Sequence, residues 1–218
     1  MSENTHTMQG RLFDSELKPG HYHVHSLGDA EIREYPMAFS LFESSNYLNK
    51  LISSVTWEQA SIAIAGKTVP VPRLQCWMGD PQASYGYSGL RLKPGPWQQP
   101  VNAIRARVSE LTGHDFNSVL LNYYRDGQDS VAWHADDEAE LGPEPVIASV
   151  SFGAERVFQL KHKFRADAPR HRLLLLNGSL LLMGKTMQNN WLHQVPKTKS
   201  AVGPRVNLTF RTIIQQAR

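Results

Sequence analysis

The sequence predicts a mainly β (α+β) protein, a β-sandwich or jelly roll with two amphipathic helices ahead of it. Three observations carry this. From residue 117 onward the apolar residues recur with period two, as in a strand with one buried face. The extended segments are short, at 117–125, 146–152, 155–160, 172–177, 179–183, 191–195 and 204–214. Asp126-Gly127, Gly142-Pro143, Gly153, Asn177-Gly178 and Gly203-Pro204 separate them as turns. Upstream of 117 the period becomes helical in two places, which supplies two helices to brace one of the sheets.

Taken in order, residues 1–20 are polar and without periodicity, and read as a flexible N-terminal arm before a single domain at 21–218. His21, His23 and His25 alternate, so an extended chain points them to one side. A metal site and a solvated strand face both explain that pattern; nothing nearby supplies a second shell, which favours the solvated face. Leu48, Leu51, Ile52 and Val55 give a helix over 44–55, with Trp57 packed against it. Gly66 turns the chain between extended pieces at 61–65 and 68–74, and Pro70 and Pro72 bar the second from a central strand position. Asp80-Pro81 breaks the chain, and 84–89 reads as an exposed loop. Val101, Ile104, Val108 and Leu111 form the second helical stripe, stopped by Gly113.

A chain of 218 residues with 41% hydrophobic and 20% charged residues can bury the core of one ordinary globular domain. The single Cys76 excludes an internal disulfide framework and suits a reducing compartment. Residues 1–14 lack the apolar core of a signal peptide, and the longest apolar runs, 173–176 and 180–183, are too short to span a bilayer. The expectation is a soluble, cytoplasmic monomer with no membrane partner. A net charge of +3 and a pI of about 9.0 permit a polyanionic partner without requiring one.

The chemistry concentrates at Trp133-His134-Ala135-Asp136-Asp137-Glu138. His134 and Asp136 share one face at a strand end and offer an imidazole nitrogen and an anionic oxygen. Two histidines and one carboxylate on one face of a metal leave three positions open, the arrangement of non-haem Fe(II) oxygenases. His162, His171 and His193 are the candidates for the third ligand. The first two sit in a basic, proline-containing stretch that reads as an exposed loop, whereas His193 lies in an apolar strand, so His193 is chosen. A lone His-x-Asp is common by chance and its weight comes from its company. Along 205–211, Arg205, Asn207, Thr209 and Arg211 alternate with Val206, Leu208 and Phe210, and Asn122 and Tyr124 share a face upstream. Turned into a barrel, these groups suit a dicarboxylate; turned outward, they are a solvated face. Arg205 and Arg211 lie roughly 20 Å apart along an ideal strand, so both meet one small molecule only through leaning side chains or strong twist.

In chain order, Asn122-Tyr123-Tyr124, His134-Ala135-Asp136-Asp137-Glu138, Ile147-Ala148-Ser149-Val150-Ser151-Phe152-Gly153, His193 and the strand from Arg205 to Arg211 resemble the AlkB family of Fe(II)- and 2-oxoglutarate-dependent dioxygenases. Pro72-Arg73 and Tyr85-Gly86-Tyr87-Ser88-Gly89 extend the likeness upstream. It is nearest the animal-type DNA and RNA demethylase branch. The resemblance implies a double-stranded β-helix, with its jelly-roll core at about 115–215 and a substrate-recognition lid at about 60–95. It implies Fe(II) on His134, Asp136 and His193. It implies 2-oxoglutarate on Asn122, Tyr124, Arg205, Thr209 and Arg211, with Asn207 among them. In the family the first arginine of the last strand pairs the distal carboxylate and the second lies nearer the metal.

The activity so implied consumes O2 and decarboxylates 2-oxoglutarate to succinate and CO2. It demethylates N-alkylated bases such as 1-methyladenine and 3-methylcytosine in DNA, with RNA a further candidate, and releases formaldehyde. The base must be flipped or already single-stranded. Tyr87 is expected on one face of it and His134 on the other, with Tyr85, Asp137 and Glu138 lining the pocket. Lys161, Lys163, Arg165, Arg170 and Arg172, against the one acid Asp167, are expected to meet phosphates. Double-strand members insert a bulky aromatic near Gly66, where this chain has Ala65; Val69 or Val71 is a smaller substitute, and single strands are favoured. The competing readings are an oxygenase acting on a protein or small molecule, and a binding module with a vestigial metal site.

Overall fold

The structure, a computed structural model, describes residues 20–64, 66–83, 85–87, 90–184 and 186–214. The expected arm, apart from Gly20, and Ala65 lie outside the described residues. The chain opens with β1 (His23–Ser26) and β2 (Glu31–Tyr35), followed by α1 (Leu41–Ser54). Then come β3 (Ser61–Ile64), β4 (Lys67–Pro70), β5 (Leu74–Gly79), β6 (Tyr85–Tyr87), β7 (Leu90–Leu92) and α2 (Gln99–Thr112). The rest is β8 (Ser118–Tyr124), β9 (Val131–His134), β10 (Ile147–Gly153), β11 (Arg156–His162), β12 (His171–Leu175), β13 (Leu180–Met183), the short α3 (Met187–Asn190), β14 (Trp191–Val195) and β15 (Arg205–Arg211).

Two antiparallel sheets face each other. The larger runs β1-β2-β13-β10-β15-β8-β5 and the smaller β12-β11-β14-β9. Sequence-distant strands thus interleave, as in a jelly roll. β1, β2 and β5 join the large sheet, so it draws on chain well ahead of residue 115. β5 also lies between the two hairpins of the expected lid, β3–β4 and β6–β7, each a small sheet of its own.

Alternation sets the layers. Val206, Leu208 and Phe210 of β15, with Val119 and Leu121 of β8 and Val150 and Phe152 of β10, form one face of the large sheet. They pack against Leu51 of α1 and Ile104 and Val108 of α2. The opposite face meets the small sheet through Ile147, Leu181 and Met183 against Phe158, Leu160, Trp191 and Val195. Because the helices cover the apolar face, the polar residues of β15 look into the barrel. Arg205, Asn207 and Thr209 are 1%, 6% and 8% exposed.

α1 starts ahead of its apolar stripe because Ser40 caps it. The Ser40 hydroxyl accepts from the Glu43 N–H while the Glu43 carboxylate accepts from the Ser40 N–H. Such a cap is worth about 0.5–2 kcal/mol. α2 ends at Gly113, which takes φ 70 and donates its N–H to the Ser109 carbonyl. Trp57 packs at the edge of this core, its ring 5.3 Å from Tyr123. At the Asn177-Gly178 turn, Gly178 takes φ 82 and lies so close to the Phe39 carbonyl that a Cβ would collide with it. This contact docks the approach to α1 on the sheet.

Three expectations are corrected. Residues 85–87 are not an exposed loop; they form β6, hydrogen-bonded to β7. His162 and His171 do not sit in an exposed loop either. They end β11 and begin β12, and their rings pack edge-on against the buried Trp191 at 5.2 and 5.4 Å. That indole needs covering, which makes strand ends of residues whose polarity suggested a loop. Val71 is buried and donates its N–H to the Ala60 carbonyl, so it is no wedge. Val69 and Ile62, paired across β3–β4, are 40% and 49% exposed. The His21–His25 stretch lies at the sheet edge, with His21 and His23 exposed and His25 bonded to Glu34 at 2.8 Å. Among the described residues no helix is long and apolar enough to cross a membrane.

Candidate active site

Pairing of β9 with β14 sets His134 directly opposite His193, ring centroids 4.3 Å apart. Asp136 follows two residues past the end of β9. One ligand atom from each of the three lies within 4.8 Å of the others; among the described residues no other group of His, Cys, Asp or Glu is so placed. His134 Nδ1 is 2.8 Å from the Ala132 carbonyl, which makes Nδ1–H the donor and presents Nε2 as a ligand. The Asp136 N–H donates to Gln188 Oε1 at 2.9 Å, and Gln188 is itself fully buried. Two neutral imidazoles and a carboxylate fit a divalent iron with open positions.

Electrostatics prepare these ligands. Burial pushes the Asp136 carboxyl up, but the Arg211 guanidinium, helped by His193 and His134, outweighs it and brings it down to about 2. Burial, reinforced by His134, lowers His193 to about 3. Both are therefore in their metal-binding protonation states at neutral pH.

The triad opens on a cavity of about 210 Å³ between the sheets, with Arg205 and Arg211 both in its wall. Both arginines reach this one cavity despite their separation along the strand. Arg205 lies over the Tyr124 ring at 4.9 Å and donates from Nη2 to Ser151 Oγ at 3.0 Å. Its Nε and Nη1, and Nε of Arg211, are buried with no hydrogen-bond partner among the described residues. A buried guanidinium with open donors is costly unless an anion meets it. A carboxylate reaching Arg205 would meet open donors there, so the cavity fits a dicarboxylate whose other end reaches the metal. Asn122 accepts through its side-chain oxygen from Arg73 at 2.7 Å and Gln75 at 3.0 Å, leaving its amide to donate inward. Asn207 lines the cavity but is engaged within the sheet. It donates to Ser149 and to the Val150 carbonyl, and its oxygen accepts from Thr209.

A second cavity of about 290 Å³ shares Glu138 and Arg211 with the first, and adds Trp77, Leu141 and Ile213. Glu138 is exposed overall but lines both cavities, and desolvation raises its pKa. Asp137 is exposed and salt-bridged to Lys163 at 2.6 Å. The backbone of Tyr85 and Tyr87 lies in β6, and their side chains lie outside the described residues. Of the basic stretch, Lys161 stacks on Trp133 at 4.6 Å, Lys163 is bound to Asp137, and Arg165 is 3.4 Å from Asp29. Arg170 and Arg172 are exposed.

Sequence reasoning missed Gln188 and Asp29, and saw Arg73 only as part of a motif. Arg73 grips Asn122 and the Ser130 carbonyl in the cavity wall. Asp29 accepts from Trp191, His162 and Asn190, tying the start of β14 to the end of β11. No local spacing signals either Gln188 or Asp29, because their partners are remote in sequence.

The model of the 2OG-Fe(II) oxygenase superfamily matches residues 32–211. The chain is 43% identical over 190 residues to mouse DNA oxidative demethylase ALKBH2, covering 83% of this chain and 80% of the relative. It is 40% identical over 199 residues to mouse alpha-ketoglutarate-dependent dioxygenase alkB homolog 3, covering 88% and 69%. Among solved structures, OsALKBH1 superposes with a TM-score of 0.58 at 16% identity, covering 87% of this chain and 100% of that one, a likeness of fold.

Proposed function

The chain belongs to the 2OG-Fe(II) oxygenase superfamily and, within it, to the AlkB family, and from that premise we propose that it oxidatively demethylates N-alkylated bases in DNA. The carrying observation is one cavity that holds a His-Asp-His triad at one end and the unsatisfied donors of buried Arg205 at the other. The relatives named DNA oxidative demethylase supply the substrate class.

His134, Asp136 and His193 would hold Fe(II), and Arg205 would pair the distal carboxylate of 2-oxoglutarate bidentately. When bound, iron with 2-oxoglutarate and O2 supplies the oxidising power to hydroxylate an N-methyl carbon, giving formaldehyde, the restored base, succinate and CO2. The protein contributes placement. Arg211 keeps Asp136 anionic and oriented. Tyr124 and Thr209 shape the cosubstrate wall between the two arginines. The sheets enclose the cavity and restrict water. In this reading Glu138, which lines both cavities, accepts from the exocyclic amine of a flipped base.

Single-stranded DNA is the preferred form in this proposal. Among its described side chains the β3–β4 hairpin offers Ile62 and Val69 as its large exposed apolar groups, and neither has the aromatic plane that would replace a base in the stack. The test is turnover of oligonucleotides carrying 1-methyladenine or 3-methylcytosine, single-stranded and duplex, across several salt concentrations, with formaldehyde and succinate measured together. Succinate without formaldehyde from any methylated oligonucleotide would refute the substrate class. Faster duplex turnover at every salt concentration would refute the strand preference.

A further inference from the structure

Phe164 leaves 77% of its surface exposed, although large apolar side chains are usually covered. Scattered exposed apolar residues are ordinary on protein surfaces; three features separate this one. It stands in the turn between β11 and β12, and that turn is built to hold it. The N–H groups of Phe164 and Arg165 both donate to His162 Nδ1, at 3.1 and 3.0 Å, while His162 Nε2 is held by Asp29 at 3.0 Å. The Phe164 and His162 rings meet in a T-shaped contact at 6.1 Å, and most of the Phe164 surface is left free. The setting is basic: Lys163 and Arg165 flank it, paired with Asp137 and Asp29, and Arg170 and Arg172 are exposed on the returning chain, with Asp167 the one acid of the turn. The turn is tied to the metal-site strands, because it follows the strand whose Leu160 lies opposite His193, and Lys163 is salt-bridged to Asp137, the neighbour of ligand Asp136.

A pre-oriented aromatic ring among cations is the arrangement that single-stranded nucleic acid takes, bases stacking on the ring and phosphates meeting the charges. A partner protein docking on an apolar patch would want apolar neighbours, and this ring has cations instead. We propose that Phe164 stacks on an unpaired base of single-stranded DNA that flanks the base presented to the metal, and so fixes the register of the strand across the site. The inference rests on the nucleic-acid reading above.

The test uses the full chain loaded with Mn(II) and 2-oxoglutarate, and short fluorescent single strands carrying one 1-methyladenine. Phe164→Ala is expected to weaken binding roughly tenfold, by the same factor at low and high salt, since stacking releases no counterions. Phe164→Trp is expected to keep the affinity and to have its indole emission quenched by the strand. An abasic residue is then walked through the positions around the methylated base. At one position it should bind wild type and Phe164→Ala equally. Equal affinity of the two proteins for the intact strand overturns the stacking role, as does a deficit that no abasic position removes. If wild type neither binds these strands in the Mn(II) form nor, loaded instead with Fe(II) and supplied with O2, releases formaldehyde from them, the demethylase reading fails and takes this proposal with it. Normal wild-type turnover with an unimpaired Phe164→Ala sinks the stacking role alone.

Discussion

Arg211 meets Asp136 across the barrel, its Nη2 donating to Asp136 Oδ1, so the last strand of the large sheet supplies the counter-charge of the triad's one carboxylate. Burial acting alone would raise the Asp136 pKa, and Arg211 is the largest influence reversing that. Arg211→Ala should therefore weaken metal binding about 10–100-fold, the usual cost of losing a group that orients a ligand. Anaerobic titration with Fe(II) or Mn(II) reads this directly; unchanged affinity would remove Arg211 from the metal's support.

Arg205→Met separates binding from stability. The guanidinium is buried with open donors, and burial pushes its pKa down. Removing it should cost about 2–5 kcal/mol of 2-oxoglutarate affinity, at least about 30-fold. The ligand-free fold should be as stable or more stable, because an uncompensated buried cation is gone. Cosubstrate titration and urea unfolding test the two halves. Arg205→Lys should recover binding only in part, since an ammonium cannot make the paired bonds of a guanidinium.

The metal-free protein should lose stability as pH falls below about 6.5. His193 is held neutral by burial, with a folded-state pKa of about 3 against an ordinary 6.5. The unfolded chain takes up that proton first, so the contribution is complete above 6.5 and drains away as pH falls toward 3, by up to about 1.4 kcal/mol per unit. Asp136, lowered to about 2 from 3.8, acts in the same direction but only below 3.8. Urea unfolding at about pH 7.5 and about pH 5 should show the difference, and His193→Gln should flatten it.

Gln188→Leu should destabilise the protein by about 1–3 kcal/mol, because the Asp136 N–H loses its buried acceptor. The leucine is similar in size, so the loss is one of hydrogen bonding and not of packing. Thermal unfolding checks the stability, and metal titration should show Asp136 less well placed. A stable variant with full metal affinity would make this bond incidental.

Much of the site was legible along single strands. The alternation of Val206, Leu208 and Phe210 against Arg205, Asn207, Thr209 and Arg211 announced two faces, and only helices on the apolar face were needed to turn the polar one inward. The sites of His162 and His171 were not legible, because a charged, proline-containing stretch looks solvated until a buried indole is known to lie beneath it. β2, with Glu31, Arg33 and Glu34 among its five residues, carries too little apolar signal to read as a strand, and it exists because β13 offers it an edge.

The sequence by itself determined what is local: the strand faces, the turns, the donor chemistry of His134 and Asp136, and the presence of cations in the β11–β12 turn. The tertiary structure decided which charges are already spent. Lys163 goes to Asp137, 26 residues away; Arg211 goes to Asp136, 75 away; Arg165 goes to Asp29, 136 away. Arg205 keeps two open donors, Nε and Nη1, buried in the cavity, and Arg211 keeps its Nε. The physical reason is range. Side-chain alternation follows from the backbone of one strand, whereas an ion pair depends on the register of strands that meet only after the chain has closed on itself.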